Sequence, residues 1–272
     1  MSSSNSPASA IALNVAPARA GITWVKQGIH IFLKQPFALM GLFFMFTAVI
    51  ILLSLLPFGS MFALILLPAL NAGYLKSIMQ VTEGILPKPS TLFSTLSNFA
   101  QSRRPLLILG LHYFLLIFIL KGIIYLFGIG DSSFAKLNSA NKDIASLAAV
   151  FQSIDVQLSL LTITVMQIPL WVSFWHSPYL VFVHNIPPTK AIFFSFIAFF
   201  RNYRAMAVFF LTWLGVFFFS SLVLSAMVFI TGTEAIATLL VIPLLAFLVS
   251  AFMCSTYFTI CDCFLFTNTP DT

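Results

Sequence analysis

Charge is what this chain has least of. Only 7% of its 272 residues are Asp, Glu, Lys or Arg, where a soluble globular domain carries roughly 25%. With 60% hydrophobic residues and a mean hydropathy of +1.04, an ordinary soluble fold is excluded. Acids are scarcer than bases, seven against thirteen, and no long apolar run holds one at hydrocarbon depth. That lack argues against an ion-coupled transporter of the common kind. There is no Gly-rich phosphate loop, HExxH, GxSxG or paired-carboxylate constellation, so soluble-type catalysis has no support and the chain is not expected to be an enzyme. No basic stretch leads into an apolar one at the N-terminus, so no cleavable signal peptide is expected.

What the chain has instead is a series of apolar runs near bilayer length. They fall at about 36–56, 61–81, 105–128, 156–183, 205–230 and 235–258. The expected fold is all-α: a polytopic membrane protein with six transmembrane helices. They group as three hairpins, each preceded by an amphipathic interfacial helix. Residues 1–18, rich in Ser, Ala and Pro, read as a disordered tail. Residues 19–266 form a single membrane domain and 267–272 a C-terminal tail.

The three amphipathic segments are 21–35, 90–102 and 188–204, each expected near the plane of the membrane. In the first, Trp24 is placed at headgroup level. A proline lies inside the second helix of every hairpin (Pro68, Pro169, Pro243), and a tyrosine follows near its exit (Tyr74, Tyr179, Tyr257). These landmarks suggest an internal threefold repeat, a common construction in membrane folds. Pro169 and Pro178 are both expected to break the fourth span.

The net charge of +6 is first a topology signal. Ten Lys/Arg fall on the side holding both termini and the 82–104 and 184–204 linkers, against three on the other side. By the positive-inside rule both termini are cytoplasmic, in a bacterial inner membrane. The basic residues sit singly or in pairs, so nucleic acid is not an expected partner.

Within 188–204, Lys190, Arg201 and Arg204 share one arc at 100° per residue, and Ala191, Ser195, Ala198 and Asn202 form a stripe of small side chains suited to close helix packing. The basic arc is the candidate site for anionic lipid headgroups or a phosphate-bearing ligand, arginine adding a bidentate fork. Asn71, His112, Lys121, Gln167 and His176 are the polar residues expected inside the bilayer. His112 and His176 at similar depth would suit a bis-histidine haem, but no other ligand spacing supports one, and hydrogen bonding is the expected role. Lys121 is expected to snorkel outward. Cys261 and Cys263 point about 200° apart on a helix and chelate only if it unwinds, so with Cys254 they read as small hydrophobes. No cofactor or metal is expected.

The segment Trp175-His176-Ser177-Pro178-Tyr179-Leu180-Val181, followed by Pro188, Ala191, Ser195, Ala198, Arg201 and Asn202, resembles an uncharacterised family of six-helix bacterial inner-membrane proteins. Trp24, Lys26, Gln27, Gly28, Phe32 and Pro36 fit the same pattern. More distantly, the chain is similar to the membrane domain found beside glycerophosphoryl diester phosphodiesterases. The resemblance implies six helices with interfacial helices between hairpins and carries no catalysis, because the phosphodiesterase domain is absent from this sequence. The expected role is non-enzymatic binding of membrane lipid, or of a membrane-protein partner or second copy. The alternative is a transporter or channel for a small or amphipathic molecule.

Overall fold

A computed structural model describes residues 10–97, 103–130, 133, 149–233 and 235–267. Six of its helices are long and apolar enough to cross a membrane, and the all-α polytopic architecture stands. α1 is Ala20–Lys34, α2 Pro36–Ser54 and α3 Gly59–Thr82. A 3-10 turn, Pro89–Phe93, leads into the single-turn α4, Ser94–Ser97. Then come α5 Arg103–Leu126, α6 Ile154–Trp175, α7 Ser177–His184, α8 Pro188–Arg201, α9 Tyr203–Thr231 and α10 Ala235–Cys263. The spans are α2, α3, α5, α6 with α7, α9 and most of α10.

Local sequence explains where these helices start and stop. Pro36 opens α2 at a position where its missing N–H costs nothing. Asn185 ends α7 in the left-handed conformation (φ 52°), the Ile186 N–H reaching back to the Leu180 carbonyl. Pro68, Pro169 and Pro243 all lie inside continuous helices. The expected break at Pro169 is therefore corrected: the fourth span breaks once, at His176, two residues before Pro178. A membrane helix accommodates an internal proline when its neighbours satisfy the freed backbone.

α3 is the most enclosed span, packed against α2, α5 and the 3-10 turn. The outer spans α2, α5 and α9 present most of their surface outward, which in a bilayer meets lipid rather than water.

The segment preceding each hairpin packs on protein. Thr91 Oγ donates to Gln80 Oε1 (3.1 Å) and Thr95 Oγ to the Ala69 carbonyl (2.9 Å), fixing the 3-10 turn and α4 along α3. Over 90–97 this segment is a 3-10 turn plus one helical turn in place of the expected single amphipathic helix; 98–102 lie outside the described residues. α8 packs on α6 and α7 through the small-residue stripe, all of it buried.

α1 packs on α9 and α10, the last hairpin. Trp24 Nε1 donates to Asp262 Oδ2 (2.6 Å), and Phe32 meets Phe247 edge-on at 4.7 Å. Between them Gly28 lies directly on Ser255, where any side chain would collide with the α10 backbone. Contacts running from Asp262 to Phe247 cover about 22 Å of α10 at 1.5 Å per residue, so the apolar face of α1 packs along α10. The Trp24 ring is fully buried against protein. An amphipathic face has the same pattern whether it buries in lipid or on a neighbouring helix.

The chain ends also differ from expectation. Ala10–Leu13 (β1) pairs antiparallel with Phe264–Thr267 (β2), Ala10 opposite Thr267 and Leu13 opposite Phe264. Residues 10–18 are therefore ordered, not part of a disordered tail, and the fold runs to Thr267. Residues 1–9 and 268–272 lie outside the described residues.

Candidate functional site

The arginine site is built at a helix-to-helix junction. α8 ends at Arg201, Asn202 turns the chain, and α9 begins at Tyr203. Arg204 thus belongs to the first turn of α9 and not to the helix carrying Lys190, so the single arc expected for the three basic residues is corrected. The turn nevertheless brings Arg201 and Arg204 to one pocket of about 500 Å³, walled on its other side by Val15–Ala18. Lys190 is exposed on α8 and takes no part in that wall.

Asn202 holds the pocket together. Its side chain is buried, accepts the Ala16 N–H at 2.7 Å, and donates to the Asn14 and Ala198 carbonyls at 2.9 Å each. Asn14 is tied further by its N–H to the Cys263 carbonyl (3.0 Å) and by Nδ2 to the Asp262 carbonyl (2.9 Å). Sequence reasoning placed Asn202 only in the small-residue stripe. A buried amide bonding both ways to a distant strand carries no local signal.

Both guanidinium groups are exposed, and neither forms an ion pair among the described residues. Arg204 is oriented by its neighbour: Nε donates to Tyr203 Oη at 2.9 Å, and the guanidinium carbon sits 5.6 Å from that ring's centre. The first intrahelical bond of α9 runs from the Met206 N–H to the Asn202 carbonyl. The N–H groups ahead of it have no partner within the helix and lie at the positive end of its dipole. Two arginines at such a terminus form a cationic surface suited to phosphate or carboxylate oxygens.

The intramembrane polar residues are scattered. Asn71 is half-buried on α3 and Gln167 half-buried on α6. Lys121 is exposed on α5, and half-buried His112 is bonded through Nδ1 to the Ile108 carbonyl (2.7 Å). His176 is fully buried at the break between α6 and α7. There the Ser195 hydroxyl replaces a missing helical bond: it accepts the His176 N–H (3.0 Å) and donates to the Val172 carbonyl (2.8 Å). The imidazole Nε2 is 3.5 Å from Thr259 Oγ and the ring lies edge-on to Phe264. The two histidines thus have no partner in common. Among the described residues, pockets also open on the spans beside Ile65 and Leu107, Phe37 and Phe219, and Ile168 and Phe252; neither these nor the arginine pocket have Asn71, His112, Gln167 or His176 in their walls. α10 stays helical through Cys263, which keeps Cys261 and Cys263 on different faces.

No protein-family model matches the chain, and no solved structure does. The likeness to the phosphodiesterase membrane domain therefore rests on the sequence landmarks alone. The chain is similar to a "Probable inner membrane protein" of Burkholderia thailandensis, 26% identical over 251 residues, covering 91% of this chain and 92% of that protein. Near full-length similarity to that protein agrees with the six apolar helices: this is a multi-pass membrane protein of the inner-membrane kind.

Proposed function

We propose that this protein is a non-enzymatic binder of anionic lipid headgroups, holding them at the end of the bundle where the termini meet. That end faces the cytoplasm, in keeping with the ten-to-three asymmetry of Lys and Arg. The observation that carries the reading is the pocket in which Arg201 and Arg204 flank the start of α9, opposite Val15–Ala18. An anionic leaflet supplies the ligand at high local concentration, and each basic residue near it contributes about 1 kcal/mol. The arginine fork adds a geometric preference for phosphate that a lysine lacks. Transport draws less support, because neither the arginine pocket nor the pockets beside Ile65, Phe37 and Ile168 are lined by the intramembrane polar residues.

The test compares Arg201→Lys/Arg204→Lys with Arg201→Gln/Arg204→Gln, reading co-purified anionic lipid and membrane orientation in parallel. Under this reading the lysine protein keeps its orientation but retains less anionic lipid than wild type. Unchanged lipid retention in the lysine protein, with inverted orientation in the glutamine protein, identifies the arginines as topology signals and overturns the reading.

A further inference from the structure

A second basic pair marks a different kind of site. Arg103 and Arg104 begin α5, and below them Leu107, Ile108 and Leu111 line a groove of about 490 Å³ closed on its far side by Ile65 of α3. On α5 these positions follow the i, i+4, i+8 and i+1, i+5 rows of one helical face. The neighbouring face, Leu106, Leu109 and Gly110, is buried against α3. Gly110 sits on the Ile65 main-chain carbonyl, where a side chain would collide, and this close approach seats α5 on α3 beside the groove.

The groove is charged at one end only. From Arg104 to Leu111 it runs about 10 Å along α5 at 1.5 Å per residue, and every lining side chain after the arginines is apolar. Both walls belong to spans, so what fills the groove comes from within the bilayer. A transmembrane helix is about 10–12 Å across with its side chains and would only lie over the opening; a single acyl chain fits inside. Lipid tails gain little by exchanging hydrocarbon for a leucine-lined wall, so the tail fixes position while the arginine pair selects the head.

We propose that Arg103 and Arg104, with the groove between α3 and α5, form a second lipid site that holds one anionic phospholipid by head and tail together. The site is independent of the Arg201–Arg204 pocket, which is more polar and is walled by the N-terminal segment. The exposed Arg104 alone at an anionic leaflet translates into a preference on the order of 5-fold for anionic over zwitterionic lipid.

Native mass spectrometry of the full chain in mild detergent, titrated with phosphatidylglycerol or phosphatidylcholine, tests this. Arg103→Gln/Arg104→Gln is expected to abolish the phosphatidylglycerol preference of one bound lipid. Ile108→Trp fills the groove from an exposed position, leaves the charge intact, and is expected to weaken the same lipid. Glycerol phosphate, a head without a tail, is expected not to displace it. Wild-type phosphatidylglycerol binding in both variants overturns the proposal, and displacement by glycerol phosphate overturns the role of the groove. Arg201→Gln/Arg204→Gln separates the two sites. If it alone removes anionic lipid, the headgroup pocket stands and the groove site falls; if it removes none while the Arg103/Arg104 variant does, the reverse holds.

Discussion

Replacing Asn202 with alanine should release the N-terminal segment while leaving the membrane bundle in place. Two of its hydrogen bonds, from the Ala16 N–H and to the Asn14 carbonyl, join that segment to the α8–α9 junction. At about 0.5–1.5 kcal/mol each, their loss costs roughly 1–3 kcal/mol of docking free energy. The Ala16 N–H is also left without its acceptor at a buried residue. β1–β2 pairing and the Asn14 bonds to Cys263 and Asp262 remain, so the segment should open more often rather than detach. With a factor of ten for every 1.4 kcal/mol, hydrogen exchange over residues 10–18 should quicken on the order of 10- to 100-fold. Exchange in the middle of α9 should not change, since local opening does not require the bundle to unfold. Asn14→Ala is the comparison: it removes one exposed side-chain bond and should accelerate the same peptide less than 10-fold. Wild-type exchange in Asn202→Ala, or a larger effect from Asn14→Ala, would show that the buried amide is not what holds the segment.

Two further outcomes are expected. Ser195→Ala removes the hydroxyl joining the His176 N–H to the Val172 carbonyl and should destabilise the protein by about 1–3 kcal/mol; an unchanged thermal unfolding profile in detergent would count against the bridge. Single cysteines at Ser4, Ser139 and Thr272, in a background lacking Cys254, Cys261 and Cys263, should react with a periplasmic reagent only at 139, and labelling at either terminus would invert the proposed orientation.

The spans were legible because a long uncharged apolar run has few alternatives at this length. The stripe Ala191, Ser195, Ala198 and Asn202 was legible for a similar reason, since small residues at helical spacing mark a close contact, and all four are buried. What the stripe touches was not. Ser195 reaches the α6–α7 break and Asn202 the N-terminal segment, contacts 19 and 186 residues away. The β1–β2 ribbon was illegible because two four-residue strands some 250 positions apart leave no local periodicity to read. The arc of Lys190, Arg201 and Arg204 failed on continuity: it assumed one helix where Asn202 makes a turn. Arg201 and Arg204 line one pocket all the same, standing three residues apart across that turn.

The packing of α1 bears on the proposed repeat. The 3-10 turn and α4 lie along α3, the second helix of the first hairpin, and α8 lies along α6 and α7, the second element of the next. By the same pattern the last hairpin has a segment along α10, and that segment is α1. α1 fills the place from the other end of the sequence, bonded through Trp24 to Asp262 and seated through Gly28 on Ser255. A ring of three units, cut between its last hairpin and the segment that packs on it, requires this arrangement. It requires also that the two cut ends lie side by side, as β1 and β2 do. The short non-helical stretches at His176 and Asn202 fall where such segments meet the spans, buried and hydrogen-bonded to protein. Irregular backbone is tolerated in a membrane protein only under that condition. The arginine pocket lies beside the cut, one wall contributed by the N-terminal segment and the other by the α8–α9 junction. Headgroup binding there should therefore strengthen with docking of the N-terminal segment, as any ligand stabilises the state that completes its site.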